Sequence, residues 1–313
     1  MIHFVVATFL SAALTSDPRP KGASLHAWPE DVPRKLELET TGVVRASTNV
    51  VAWFPAGALS DDATKEIVKR LDRGIAAAKK TIGKPAWAFQ GDPRVFFYFP
   101  DARFVAHAPG GNTAFVPLWR IRDDEAPWLH ESLHLLLATP GGDWLARDDA
   151  DARMPLWFSE GLPDALAIQI SESEGLRHFS PLWTVPASGL DELCRTELDS
   201  AAGKKALPFI GAPGKLKDLF GPDRVTYAKP FYVCSASFVR FLAKPRGFAP
   251  LLKAIADFGR EEARIERELG GTLSELKADW LAAIGAIRKS YRGDSRSSEI
   301  GRTHDALLRG GGS

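Results

Sequence analysis

The stretch Ala126-Pro127-Trp128-Leu129-His130-Glu131-Ser132-Leu133-His134-Leu135-Leu136-Leu137 constrains the fold more tightly than any other part of the chain. Outside His130, Glu131, Ser132 and His134 it is almost wholly apolar, so it reads as a helix that the folded chain must bury. Asp123, Asp124 and Glu125 ahead of Pro127 suit a helix start, where negative charge is favoured and proline's missing N–H is not needed. Pro140-Gly141-Gly142 is the expected stop. His130 and His134 then lie one turn apart on the same face. Two imidazoles so placed reach one tetrahedral zinc ion, and Glu131 is placed to take a proton from water at such a site. The alternative is a core helix that happens to hold two histidines. A third ligand decides between them, because catalytic zinc is usually held by three side chains.

The candidate for that ligand is Glu160, in Pro155-Leu156-Trp157-Phe158-Ser159-Glu160-Gly161-Leu162-Pro163-Asp164-Ala165-Leu166. Ser159 is expected to cap a helix with Glu160 in its first turn and Asp164 following on the same face. Pro163 would fall in that first turn, where its missing amide has no partner to lose. A solvated carboxylate at a helix start is the alternative reading of Glu160.

His130 to His134 followed by Trp-x-x-Glu-Gly resembles the gluzincin metallopeptidases, the group of thermolysin and aminopeptidase N, and more narrowly the peptidase MA-like domains. The resemblance spans about residues 60–285. It implies an α+β, zincin-like fold with a mixed-sheet upper lobe, an edge strand that lines the cleft, and a mainly helical lower lobe. It implies Zn2+ held by His130, His134 and Glu160, with Glu131 as general base and Asp164 hydrogen-bonded to a ligand histidine, a contact that fixes the imidazole tautomer. Tyr232-Val233-Cys234-Ser235-Ala236-Ser237-Phe238-Val239 resembles the Tyr-x-x-Ser-x-Ser-Phe-Val helix of the same domains, whose tyrosine donates to the oxyanion. Tyr227 is the rival for that role, and a packed tyrosine is the plain alternative to both. The implied activity is hydrolysis of peptide bonds in a peptide or protein substrate. No Gly-x-Met-Glu-Asn segment precedes His130, which argues against a strict aminopeptidase. A catalytically silent, exported binding or scaffold module on the same fold is the alternative function; the retained Glu131 counts against it.

Forty basic against thirty-nine acidic residues leave a net charge of +1, so nothing selects for nucleic acid. Phe4 to Leu14 is an apolar run too short to span a bilayer; residues 1–16 read as a signal peptide, which predicts an exported protein, periplasmic or extracellular, with no stable membrane insertion. Cys194 and Cys234 are equally compatible with a disulfide and with two buried thiols. His3, His26, His107, His178 and His304 have no metal-like neighbours.

Residues 17–59 read as an extended lead-in to about residue 35 followed by two strands around Ser47-Thr48-Asn49; 60–290 read as the peptidase domain and 291–313 as a disordered tail. Ser60 caps a helix through Ile82, with Gly83 as its stop, and Arg94 to Phe99 reads as a buried strand. Thr113 to Ile121 reads as a strand that Pro117 confines to a sheet edge. Phe238 to Phe258 reads as two helices broken at Pro245-Arg246-Gly247, and Thr272-Leu273-Ser274-Glu275 as a capping box. Between Ser171 and Lys229 the sequence names no chemistry.

Overall fold

The computed structural model describes residues 30–83, 92–137, 155–177, 180, 187–212, 224–257 and 262–287. The expected signal peptide, the stop at Pro140-Gly141-Gly142 and the tail lie outside them. The architecture is α+β: a five-stranded mixed sheet in the N-terminal part precedes a mainly helical C-terminal part.

Strands β1 (Val43–Ala46) and β2 (Val50–Phe54) form the expected antiparallel hairpin, and β3 (Val95–Tyr98), β4 (His107–Gly110) and β5 (Thr113–Phe115) complete the order β1-β2-β3-β5-β4. β2, β3 and β5 run parallel; β4 returns antiparallel to β5 and forms one edge. Thr113–Phe115 is therefore interior, not an edge, and the extended run stops at Phe115. Pro117, with φ −57°, accepts from the N–H of Arg120 and Ile121 and opens the short helix α3 (Leu118–Arg122) instead. Its fixed φ suits a helix start as well as it suits a strand edge.

Both faces of the sheet are covered, which explains its near-continuous apolar strands. On one face Val50, Ala52, Phe54, Val95, Phe97 and Phe99 join the main core. The other carries a cross-strand aromatic row: Trp53 stacks on Tyr98 at 4.6 Å, Tyr98 on Phe115 at 5.3 Å and Phe115 on His107 at 5.5 Å. Helix α1 (Asp31–Thr41) lies over this row. Its Leu38 packs with Tyr98, Phe104 and Phe115; Glu39 accepts from the Tyr98 hydroxyl at 2.6 Å, and Asp31 meets His107 Nε2 at 2.7 Å. Residues 31–41, expected to be extended lead-in to about residue 35 and strand from Leu36, are helical because these contacts reward one face of a helix that charge-rich composition alone does not announce.

Helix α2 (Asp61–Ile82) has the expected Ser60 cap, accepting from Ala63 N–H, and the left-handed Gly83 stop. It packs under the sheet and against α4 (Trp128–Leu137), the histidine helix. Gly74 permits this approach: a Cβ there would sit 2.4 Å from the ring edge of Trp128. Helix α5 (Leu156–Glu174) carries Glu160. Here the start differs from expectation. Trp157 and Phe158 are fully buried, and drawing them into the core extends the helix back to Pro155, whose carbonyl accepts from Ser159 N–H at 3.0 Å. Ser159 is thus not the cap, its hydroxyl donating to Leu156 O instead, and Pro163 lies in the helix interior.

Helices α6 (Ala187–Asp199) and α7 (Ala201–Ala206), the latter capped by Ser200, fill part of the span where the sequence was uninformative. They surround α8 (Arg224–Ala243), the central helix of the lower part, which also packs along α5. α9 (Ala249–Asp257) follows the Gly247 turn, α10 (Glu262–Leu269) comes next, and α11 (Leu273–Gly285) opens with the expected capping box. Trp280 of α11 donates to Ser237 of α8, which in turn donates to Asp191 of α6, tying the three helices together.

Candidate metal centre

Two neighbouring helices supply the site. On α4, the four-residue spacing stacks His130 and His134 one turn apart, and their Nε2 atoms lie 2.8 Å from each other. From α5, Glu160 Oε2 lies 3.6 Å from His130 Nε2 and 3.5 Å from His134 Nε2. One ligand atom from each of the three residues falls within 4.8 Å of the others, and all three side chains are buried. Ligand atoms about 2.05 Å from a tetrahedral zinc ion stand roughly 3.3 Å apart. The carboxylate already has that spacing; the imidazoles need to part by about half an ångström. A 2.8 Å contact between two ring nitrogens is satisfied by a proton on one of them, which a metal ion bound by both would displace. Nitrogen, nitrogen and carboxylate oxygen are a donor set that zinc accepts.

Behind the cluster, His130 Nδ1 meets Asp164 Oδ1 at 2.8 Å, one helical turn beyond Glu160 on α5. With Nδ1 donating, the tautomer leaves Nε2 as the ligand atom. Asp164 is fully buried, and burial raises its pKa, opposed by the charge and hydrogen bond of His130. Burial would lower His130, but the Asp164 charge and hydrogen bond, with Glu160 and Glu131, raise it well above the usual imidazole value. Burial would raise Glu160; the charges and hydrogen bonds of His134 and His130 outweigh it and hold the carboxyl well below the ordinary carboxylate range.

Glu131 is buried beside the ligands. Desolvation raises its pKa, partly offset by the charges of His130, His134 and His107. A carboxylate whose pKa is raised is a stronger base for taking and returning a proton. His107 is on β4, which packs against α4, so this sheet edge borders the site. His107 is not a ligand: its ring bonds Asp31 and the Val105 carbonyl.

Tyr232 of α8 faces the same cluster, its ring 6.4 Å from that of His130 and its hydroxyl among the Glu160, Glu131 and Asp164 carboxyls. Burial and the surrounding Glu160, Glu131 and Asp164 charges raise its pKa well above the usual phenol value, so it remains a donor. The side chain of Tyr227 lies outside the described residues. Gly161 makes the approach of α8 possible: a Cβ there would sit 2.6 Å from the Ser235 carbonyl oxygen. The glycine after Glu160 is therefore a packing requirement between the two helices that carry Glu160 and Tyr232. Cys194 and Cys234 are buried free thiols with sulfurs 3.4 Å apart, at the contact of α6 and α8.

The structure adds two side chains that motif reading missed. Arg120 of α3 is 5% exposed, and its Nη2 donates to the Ser180 carbonyl at 3.3 Å. Ser180 is fully buried and its hydroxyl donates to Asp164 Oδ2 at 3.4 Å. Burial lowers the Arg120 pKa to about 10, opposed by the Glu131 and Glu125 charges, so it remains a cation at neutral pH. The only sequence signal was a lone charge inside the run Phe115-Val116-Pro117-Leu118-Trp119-Arg120-Ile121.

The site is thus a buried His-His-Glu cluster with the spacing of a zincin motif, of the kind used by metallohydrolases. No protein-family model and no curated protein matches the chain, so the gluzincin resemblance rests on these residues and their arrangement.

Proposed function

We propose that the protein is a zinc-dependent peptidase. The observation that carries this reading is the convergence of His130, His134 and Glu160 from two helices, with Asp164 behind the first ligand and Glu131 retained beside them. A zinc ion held there would polarise a substrate carbonyl and lower the pKa of water at the site. Glu131 accepts the proton of the attacking water and returns it to the leaving amine. Tyr232, whose ring faces His130 and whose phenol stays protonated, donates to the carbonyl oxygen as charge develops there. The β4 edge pairs with β5 alone among the described residues, and its free side offers backbone groups to an extended peptide. Export of the protein remains part of this proposal, resting on the apolar run at Phe4 to Leu14.

Glu131→Gln tests the reading directly, because it removes the base and spares all three ligands. Incubated with a mixed peptide library, the zinc-loaded wild type should give chelator-sensitive cleavage, with the variant slower by about 10²–10⁴-fold at equal zinc content. Equal cleavage by the variant would reject Glu131 as the base. No cleavage by zinc-loaded wild type would favour a binding module built on the same site.

A further inference from the structure

Asp164 can orient His130 only if its own carboxylate is held, and a fully buried carboxylate needs donors at both oxygens. His130 serves Oδ1. At Oδ2 the Ser180 hydroxyl arrives at 3.4 Å from a part of the chain sixteen residues further on. Among the described residues Ser180 is held in turn by Arg120, sixty residues earlier in sequence, whose guanidinium donates to the Ser180 carbonyl. Three distant segments thereby meet behind the metal centre: α3 through Arg120, the chain at Ser180, and α5 through Asp164. A buried guanidinium is an expensive way to hold one backbone carbonyl unless its position matters, since taking the charge out of water is strongly unfavourable. The Glu125 and Glu131 charges offset that cost and keep the guanidinium ionised where it stands.

We infer that Arg120 and Ser180 are positioning residues for the metal centre: Arg120 anchors Ser180, Ser180 holds Asp164, and Asp164 sets the His130 tautomer that leaves Nε2 to bind metal. The inference rests on the zinc reading and extends it to residues that touch neither metal nor substrate. It separates Ser180 from an ordinary buried serine, whose hydroxyl would affect stability without affecting one imidazole. It also separates Arg120 from a general structural ion, because its hold on Ser180 reaches Asp164 in addition to its charge contact with Glu131.

The test is zinc affinity of the full chain, measured by competition with a chromophoric chelator, for wild type, Ser180→Ala, Ser180→Thr, Arg120→Met, Asp164→Ala and the Ser180→Ala/Asp164→Ala double variant. Loss of an outer hydrogen-bond partner of a ligand histidine weakens metal binding by about 10–100-fold. Ser180→Ala and Arg120→Met should each weaken zinc by roughly 10-fold, at the low end of that range because they act one step further out. Ser180→Thr keeps the hydroxyl and should restore affinity. In the Asp164→Ala background Ser180→Ala should add nothing, since the route it acts through is already gone. The imidazole Nδ1–H resonance of His130, followed by nitrogen-15 NMR in the zinc-loaded protein, should move in Ser180→Ala and return in Ser180→Thr. Additive losses, or wild-type affinity in Ser180→Ala and Arg120→Met, would overturn the inference while the zinc site stands. Failure of wild type to bind zinc would sink both, and the failing sample identifies which has gone.

Discussion

Replacing Gly161 by alanine should destabilise this protein, against the ordinary rule for a helix interior. Alanine normally gains about 1 kcal/mol over glycine there. At Gly161 the new Cβ would lie 2.6 Å from the Ser235 carbonyl oxygen and 2.7 Å from its carbon, whereas ordinary contact begins at 3.4 Å. Relief requires α5 and α8 to part by about 0.8 Å, since the opposing atoms are backbone and have no rotamer to adopt. Overpacking of a tight core typically costs about 1–3 kcal/mol; with backbone opposing the new Cβ the cost falls in the upper half of that range, about 2–3 kcal/mol, so the net loss is roughly 1–2 kcal/mol after the propensity gain. For a domain of this size that lowers the melting midpoint by about 2–8 °C. Gly285, also helical, has no atom within 4 Å of a built Cβ and serves as the control. Thermal unfolding of the metal-free protein should show Gly161→Ala below wild type and Gly285→Ala at or above it. Because Glu160 and Tyr232 ride on the two separated helices, Gly161→Ala should also weaken zinc binding, and Gly285→Ala should not. A Gly161→Ala protein as stable as Gly285→Ala would refute the close packing of α5 on α8.

Three further outcomes follow from other contacts. Tyr232→Phe should lower kcat by about 10²–10³-fold with little change in zinc content, as expected for removal of one oxyanion donor; an unchanged kcat would reassign Tyr232 to packing. Glu275 accepts from the Thr272 N–H and hydroxyl, bonds that hold its pKa below the usual 4.5. Its ionised form therefore adds stability that is present above pH 4.5 and lost as pH falls through the lower folded value, so Glu275→Gln should melt below wild type at pH 7 and level with it at acid pH. A gap that persists in acid would mean the charge is not what the cap uses. Cys194 and Cys234 should join on treatment with oxidised glutathione, the protein losing two thiol hydrogens as two glutathione molecules are released, and mass spectrometry of a peptide digest would show the link; two intact thiols after prolonged treatment would mean the helices cannot close the 3.4 Å gap.

The histidine helix, the Ser60 and Thr272 caps and the hairpin at residues 47–49 were legible because each depends on neighbours within one turn. The place of Glu160 near the histidine pair was legible through its motif, and the structure brings its carboxylate beside both imidazoles. What misled was proline. Pro117 and Pro163 each fit more than one local setting, and tertiary packing chose: the burial of Trp157 and Phe158 moved a helix start, and α3 took the residues after Phe115. α1 escaped notice because its partners, Tyr98, Phe115 and His107, are some sixty or more residues away and its composition is mostly polar. Arg120 and Ser180 escaped for the same reason, since their role exists only where three segments meet.

The central claim, that His130, His134 and Glu160 hold one metal ion, is tested most directly by elemental mass spectrometry of the purified protein before and after dialysis against a chelator, with Glu160→Ala alongside. The account predicts close to one zinc per wild-type chain, removed by the chelator and regained on resupply, and none retained by Glu160→Ala. Wild type that takes up no metal after zinc is resupplied, or Glu160→Ala that holds it as firmly as wild type, would contradict it.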